Sequence, residues 1–533
     1  MKAIGVQGSW LAIGFLCLVS FLGIYHDLWT PDEPREAEIS REMMVSPGVV
    51  PTLNNHDFIE KPPLYYWTVA GVYKLVGGPS PAAARSVSAA ASVLTLLLVF
   101  LWGSRDFSRP VGLLAAAGLV TSTQFMITSR WIVSDPLLML FTTIAFWSGS
   151  DLLRGRGRSS TLIYFYAALI LAMWTKGLIG PVLVASGVLA YLAARRELKP
   201  LWSLRPFMGA GIMVLAMAAL MALIYADSGF DAVREWFWVN HVQRFIHPVG
   251  TGHERPFYEY FIYLPTALFP WWIPFIDLFR PSTWRDRSAP EYDLNRYLAA
   301  LSVGMFVILS ASSTKRGLYL MPMLPPLFLL LSSRVMAWWR RQPQEGPLRG
   351  AAWWLQVGLV LLFAAGPTIL VMAYLRNFDA AGIAFLVIIG LLAAATVVYS
   401  RRGDRSRALA AFGSCAIAAI LVLTLVDFRL AGTIKNMSPF LTEIKPRLSG
   451  DQSIYVTGDI DETLRGIVPF VMERDIVEIS PDELHDLHPD CVIVQAKHGR
   501  KSAPAIDPDY ELQQDQSFGP GRYLGFWCLT GKS

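Results

Sequence analysis

The stretch AAARSVSAAASVLTLLLVFLWG at residues 82–103 runs into SRDFSR at 104–109 and then into PVGLLAAAGLVTSTQFMIT at 110–128. Two apolar runs are thus joined by a short basic link. A bilayer core of about 30 Å needs roughly 20 helical residues to cross it, so each run predicts a span and the link a loop at one face. The same alternation extends outward to both ends of the chain. Apolar runs at 9–25, 134–153, 161–175, 177–194, 207–226, 257–279, 297–312, 317–337, 352–375, 380–400 and 407–426 bring the expected total to about thirteen spans. Composition agrees. Hydrophobic residues make up 53% and charged residues 16% of the 533 positions, against about 25% charged in a soluble domain. The net charge of +5 lies in short clusters between apolar runs, which reads as topology rather than as a nucleic-acid surface.

Placing Lys2 on the cytoplasmic side makes every inside link basic: Arg105 and Arg109; Arg154, Arg156 and Arg158; Arg195, Arg196, Lys199 and Arg205; Arg280, Arg285, Arg287 and Arg296; Arg340, Arg341 and Arg349; Arg401, Arg402, Arg405 and Arg407. That is the positive-inside pattern. An odd number of spans then puts the C-terminus outside. The first run is read as a retained helix, because a charged motif follows it directly and no small-residue cleavage site is evident. The expected organisation is a membrane domain over 1–429, with a first outside loop at 26–81 and a second at 227–256, followed by an extracytoplasmic α/β domain over 430–533. In the tail, Ser453–Thr457, Cys491–Gln495 and Tyr523–Cys528 read as strands, and Asp461–Glu473 and Pro481–Leu487 as helices. The four cysteines show no metal-ligand spacing. Cys491 and Cys528 are both in the tail, where a disulfide is one outcome if that segment faces an oxidising compartment.

The polar motifs gather on the outside links. WTPDEPREAEISREMM (29–44) predicts a surface helix along the membrane. Glu36, Glu38 and Glu42 are read as charges that solvate it. Asp32 and Glu33 differ, because Pro31 and Pro34 restrict their backbone at the boundary, where a carboxylate suits general-base work on a hydroxyl. In HDFIEKPPLYYW (56–67), Trp67 and one tyrosine fit the interfacial aromatic belt, and Lys61 suits a phosphate. Asp135, after Ser134 and before Pro136, reads both as a helix start and as an outer-face acid. The second loop holds His241, His247 and His253 with Arg244 and Arg255. His241 and His247 are not at a same-face helical spacing, which argues against a histidine-only metal site, and Arg255 suits bidentate phosphate binding. In SSTKRGLYLMPMLPP (312–326), Lys315 and Arg316 read first as cations snorkelling from a helix end.

These strings resemble the lipid-linked-sugar-dependent glycosyltransferases of GT-C architecture. More narrowly, they resemble the bacterial enzymes that move 4-amino-4-deoxy-L-arabinose from undecaprenyl phosphate to lipid A, and more distantly the protein O-mannosyltransferases. PDEPREAEISREMM, IEKPPLYYW, VSDP, MWTKG, FWVNHVQRF and HERPFYEY carry the likeness over roughly the first 330 residues. The family often has tyrosine where this chain has Glu36, and its lysine-to-proline stretch near residue 315 is two residues shorter here. The resemblance implies a polytopic α-helical GT-C membrane protein. It implies Asp32 as the catalytic carboxylate, with Glu33 beside it and Asp135 in support. Lys61, Arg255, Tyr319 and Arg35 would bind the donor phosphate, and Tyr66, His241 and Lys315 the substrate. Glu60 and His253 match positions that hold a structural divalent metal in a related enzyme; no cofactor is expected to be required.

The expected partners are a polyprenyl-phosphate-linked sugar, a lipid or glycan acceptor and membrane lipids, with no nucleic acid. The expected state is a monomer in the bacterial inner membrane. No Walker-type or Rossmann glycine motif is visible for a nucleotide sugar. A lipid-linked-sugar transporter is the rival reading, but transporters place ionisable groups near the bilayer midplane, whereas here they mark outer helix ends. The enzyme reading expects Asp32, Lys61, Asp135 and Arg255 to share one pocket at the extracytoplasmic edge.

Overall fold

The computed structural model describes residues 6–243, 255–280, 284, 291–341, 351–374, 380–404, 407, 408, 410–418, 432, 434–448, 453–497, 506–518 and 522–530. The chain divides into two compact units, one of residues 1–23, 59–65 and 88–426 and one of residues 24–58, 66–87 and 427–533.

The first unit is helical. Its helices are α1 (Val6–Val19), most of α4 (Pro81–Asp106), α5 (Arg109–Val120), α6 (Thr123–Thr128), α7 (Asp135–Leu153), α8 (Ser159–Lys176), α9 (Ile179–Arg195), α10 (Pro206–Arg234), α11 (Glu259–Leu268), α12 (Trp272–Asp277), α13 (Tyr292–Ala311), α14 (Leu324–Arg341), α15 (Ala351–Tyr374) and α16 (Ala380–Arg402). Six helices among the described residues are long and apolar enough to cross a membrane. Lipid provides no hydrophobic drive between helices, so close backbone approach through small residues does the packing. Helices α9 and α13 meet in this way, and a Cβ on Gly304 would sit 2.4 Å from the Ser186 carbonyl oxygen.

Two runs expected as single spans are broken. The run at 110–128 stops at Thr121 and Ser122, whose hydroxyls bond back to the carbonyls of Ala117 and Leu119 at 2.6 and 2.7 Å. The run at 257–279 is interrupted at Phe269–Trp271. The breaks satisfy each other. Thr123 donates its N–H to the Phe269 carbonyl at 3.1 Å, and Trp271 Nε1 donates to Thr121 Oγ1 at 2.9 Å. Non-helical backbone persists at membrane depth only when protein groups meet its hydrogen bonds. Sequence period does not reveal such a tertiary arrangement. The expected span at 407–426 lies partly outside the described residues. At the opposite ends of the helices, the basic links are paired internally: Arg105 bonds Asp106 and Asp151, and Arg296 bonds Asp293.

The second unit joins the first loop to the tail. It holds α2 (Asp32–Val45), a two-stranded hairpin of β1 (Thr52–Leu53) and β2 (His56–Asp57), most of α3 (Leu64–Val76), and the tail helices α17 (Ser438–Ile444), α18 (Glu462–Met472) and α19 (Pro481–Leu487). Five strands form the tail sheet in the order β4 (Ile476–Glu478), β3 (Ile454–Gly458), β5 (Cys491–Lys497), β7 (Arg522–Leu529), β6 (Tyr510–Phe518). The first three are parallel, and β7 and β6 are antiparallel. Cys491 and Cys528 sit opposite each other on β5 and β7 and form a disulfide. The loop at 26–81 was expected with the membrane domain; its residues 26–58 and 66–81 fall in one unit with the tail, and only 59–65 in the first unit. Asn54 clasps Ile476, accepting from its N–H and donating to its carbonyl, each at 3.1 Å.

Helix α2 is not the solvated surface helix the sequence suggests. Glu36 and Glu38 are fully buried and Glu42 nearly so. Each has partners that composition cannot show. Glu36 accepts from Arg35 and Tyr66, and Glu38 from Arg41. Glu42 accepts from the Thr52 hydroxyl and the backbone N–H groups of Asn54 and Asn55.

Burial pushes the Glu38 carboxyl up to about 7, with Arg41 opposing and Glu42 adding to the rise. A carboxyl raised on folding contributes stability below its unfolded value, and that contribution is lost as pH rises through the folded value. The thermal midpoint of the purified chain should therefore fall between about pH 4.5 and about pH 7. Glu38→Gln should flatten that slope in a thermal melt series, and an unchanged slope in the variant would assign it to another group.

Candidate functional site

Two polar clusters, one in each unit, account for most of the residues that the motifs single out. In the second unit, Asp32 and Glu33 open α2, both buried. They differ in partners. Glu33 is gripped by Arg85, with Nε to Oε1 at 2.8 Å and Nη2 to Oε2 at 2.6 Å, and it accepts the Trp29 N–H at 2.8 Å. Arg85 is fully buried and also donates to the carbonyls of Ile24, His26 and Asp27. Glu33 is thus committed to Arg85 and the Trp29 N–H, which fix the approach to α2. Arg85 was missed because it sits in an apolar run. A lone arginine there is itself a signal, since an ionisable group among apolar neighbours needs a partner.

Asp32 accepts from Arg35 Nη2 at 3.5 Å. Arg35 also bonds Glu36 through Nε and Nη2 at 3.1 and 2.7 Å, pairs with Glu462, and lies over the Phe58 ring at 5.4 Å. Its guanidinium is shared among three carboxylates, so it fits an organiser of acids better than the phosphate ligand expected. Tyr66 donates to Glu36 Oε2 at 2.9 Å with its side chain buried, which makes it part of this framework.

In the first unit, three links converge. Asp135 is 2% exposed in the first turn of α7, and Lys176 Nζ reaches its Oδ1 at 2.6 Å. Asp135 opens α7 as the sequence reading expects, with Ser134 at the N-cap position but without a side-chain capping bond, and the same carboxylate makes the ion pair. Lys176 also lies 4.4 Å from the Tyr319 ring centroid, a cation–π contact. The MWTKG string ends α8 at Lys176, directly opposite the start of α7. Lys176 is the functional candidate that single-residue reasoning passed over, although its motif was visible.

Arg255 is exposed, and its N–H donates to the Ser313 carbonyl at 3.2 Å. Lys315 does not snorkel. It is 3% exposed, donates to the carbonyls of Arg255 and Ser312, and is held below its usual pKa by burial. It ties the 312–316 link to residue 255. Lys61 and Glu60 are half-buried in the turn before α3, where Asn240 donates to the Ile59 carbonyl at 3.4 Å. The side chain of His241 and all of His253 lie outside the described residues. Among the described residues no group of three His, Cys, Asp or Glu side chains could hold a metal. Asp32 falls in the second unit, and Lys61, Asp135 and Arg255 in the first.

Apolar helices of spanning length, with buried acids opening α2 and α7, fit a polytopic membrane protein. The family model for dolichyl-phosphate-mannose-protein mannosyltransferases matches residues 9–230. A protein of Edwardsiella ictaluri, named undecaprenyl phosphate-alpha-4-amino-4-deoxy-L-arabinose arabinosyl transferase, is 31% identical over 314 residues, which cover 58% of this chain and 55% of that one. A protein of the same name from Pseudomonas paraeruginosa is 30% identical over 381 residues, 69% of this chain and 64% of its own. This chain thus spans a little over half the length of the curated relatives it matches. The crystal structure of ArnT from Cupriavidus metallidurans bound to undecaprenyl phosphate superposes over 99% of both chains with a TM-score of 0.76 at 17% identity. The chain shares that fold and resembles the aminoarabinose transferases in sequence.

Removing one partner of a buried ion pair costs about 3–5 kcal/mol. Glu33→Gln should accordingly lower the thermal midpoint strongly, whereas Asp32→Asn should leave it within about 2 °C. Equal midpoints for the two variants would remove the distinction drawn between these acids.

Proposed function

We propose that this chain is an integral membrane glycosyltransferase that moves a sugar from an undecaprenyl-phosphate donor to a lipid A-type acceptor, in the manner of the aminoarabinose transferases it resembles. The observation that carries the reading is Asp32: a buried carboxylate at the start of α2, in the family motif, with Arg35 beside it and its neighbour Glu33 committed to Arg85. The relatives' names supply the substrate class, and the fold supplies the scaffold.

In this mechanism Asp32 accepts the proton of the acceptor hydroxyl. The acceptor oxygen attacks the anomeric carbon as the bond from that carbon to the phosphate oxygen breaks, and undecaprenyl phosphate leaves with the electron pair. The configuration inverts. Lys61 and Arg255, with Lys176 and Tyr319 behind Asp135, stabilise the charge that develops on the phosphate. No step passes through a metal. About thirteen spans, a cytoplasmic N-terminus, an extracytoplasmic tail and a monomer complete the reading. The Cys491–Cys528 disulfide supports the tail's placement, because structural disulfides persist in oxidising compartments.

The test is incubation of the purified protein with undecaprenyl-phosphate aminoarabinose and lipid A, alongside other lipid-linked sugars and acceptors. Asp32→Asn should abolish transfer while the protein remains folded, and Lys61→Ala should chiefly raise the donor KM. Full transfer by Asp32→Asn, or transfer from a nucleotide sugar without lipid carrier, would overturn the reading.

A further inference from the structure

We infer that α18, a helix of the C-terminal α/β fold, sets the position of Asp32, and that Glu462, Thr463 and Gly466 are its positioning residues. The inference rests on the proposed role of Asp32 as the base. All the groups involved belong to the second unit.

The three residues fall at i, i+1 and i+4 along one side of α18, and they meet the chain on both flanks of Asp32. Thr463 Oγ1 donates to the carbonyl of Pro31 at 3.2 Å, one residue before it. Gly466 lies against the backbone just after it. A Cβ at position 466 would stand 2.5 Å from the Pro34 carbonyl carbon and 2.6 Å from the Arg35 nitrogen, closer than any side chain tolerates. Glu462 takes Arg35 through Nη1, while Arg35 Nη2 reaches Asp32.

The helix itself is held from the sheet. Asp461 caps its N-terminus, accepting from the N–H groups of Thr463 and Leu464 at 3.1 Å each. The same carboxylate accepts from Arg522 of β7 at 2.8 and 3.1 Å and from Gln495 of β5 at 3.3 Å. A path of direct contacts thus runs from the sheet through Asp461 and α18 to the backbone around Asp32. None of these tail residues lies in the motifs of the first 330 positions, yet the motif acid depends on them for its placement.

Glu462 adds an electrostatic part. Arg35 faces Asp32, Glu36 and Glu462, Tyr66 donates to Glu36, and Glu33 is matched by Arg85. With Glu462 ionised, the guanidinium charge is divided three ways, and Asp32 keeps proton affinity. Neutralising Glu462 concentrates Arg35 on Asp32 and makes it a weaker base.

The experiment compares Glu462→Gln, Glu462→Asp and Asp32→Asn in the full chain, with kcat, donor KM and the pH dependence of kcat/KM as readouts. Glu462 is partly exposed, so its replacement should leave the protein folded, which a thermal melt checks. Glu462→Gln should lower kcat on the order of ten-fold, with donor KM within about two-fold of the parent. The acidic limb of the kcat/KM profile should move to lower pH, and Glu462→Asp should restore both. If Glu462→Gln matches the parent in kcat and limb while Asp32→Asn is inactive, the positioning role is wrong and the base assignment stands. A loss of kcat with an unmoved limb and no recovery in Glu462→Asp also refutes it. Activity in Asp32→Asn overturns the base assignment beneath it.

Discussion

Glu33 meets Arg85 with both groups out of water, and the arrangement around α2 follows from that contact. Burying a carboxylate and a guanidinium costs several kcal/mol per ion before their attraction is counted, and the cost is offset only when the remaining hydrogen bonds are met. Here they are met in full. Arg85 spends its other donors on three backbone carbonyls of residues 24–27, and Glu33 accepts the Trp29 N–H. The chain leaving α1 is thereby bent into a fixed path, and α2 begins where that path ends. The same accounting holds along the helix. Five acids of α2 are buried, and each is answered by an arginine, a tyrosine or a backbone N–H. A solvated carboxylate needs none of these, which is why the helix is built to hold acids in a set geometry rather than to keep a surface soluble.

The first unit solves a different problem with similar means. Its helices cross through small residues, and two of them stop short within the apolar run. The stops at 121–122 and 269–271 would leave carbonyls and N–H groups bare in hydrocarbon if they lay apart. Because Thr121, Thr123 and Trp271 bond across the gap, they stand as one polar junction inside the bundle. Asp135 and Lys176 form a second junction where α7 begins and α8 ends, with Tyr319 stacked on the lysine.

What the sequence revealed depended on whether the signal was local. Apolar runs and basic links are local, so the helices expected at 82–103, 134–153, 161–175, 177–194, 352–375 and 380–400 were legible to within a few residues, whereas α1 ends at Val19 and α10 runs on to Arg234. Asp32, Asp135, Lys61 and Tyr319 were singled out as candidates by ordered motifs. Glu36, Glu38 and Glu42 were misread because charge on a helix ordinarily means water; Arg41 answers Glu38 from the same helix, but the partners at residues 52–55 and 66 come from elsewhere in the chain. Arg85 hid in an apolar run, and Glu462 lies more than four hundred residues from the arginine it binds. In the tail, β5 and β7 showed as apolar runs. Strand β6 did not, since YELQQDQSF has most of its side chains exposed, and β4 is three residues long.

The clasp between Asn54 and Ile476 has a consequence for the solubility of the tail. Strand β4 borders the sheet, and a border strand offers unpaired peptide groups to any passing chain, a template for unwanted association. Ile476 would present one such donor and one such acceptor on the side away from β3. The asparagine amide occupies both, imitating a neighbouring peptide with a side chain, so the loop that precedes α3 also serves as a cover strip for the sheet's parallel margin.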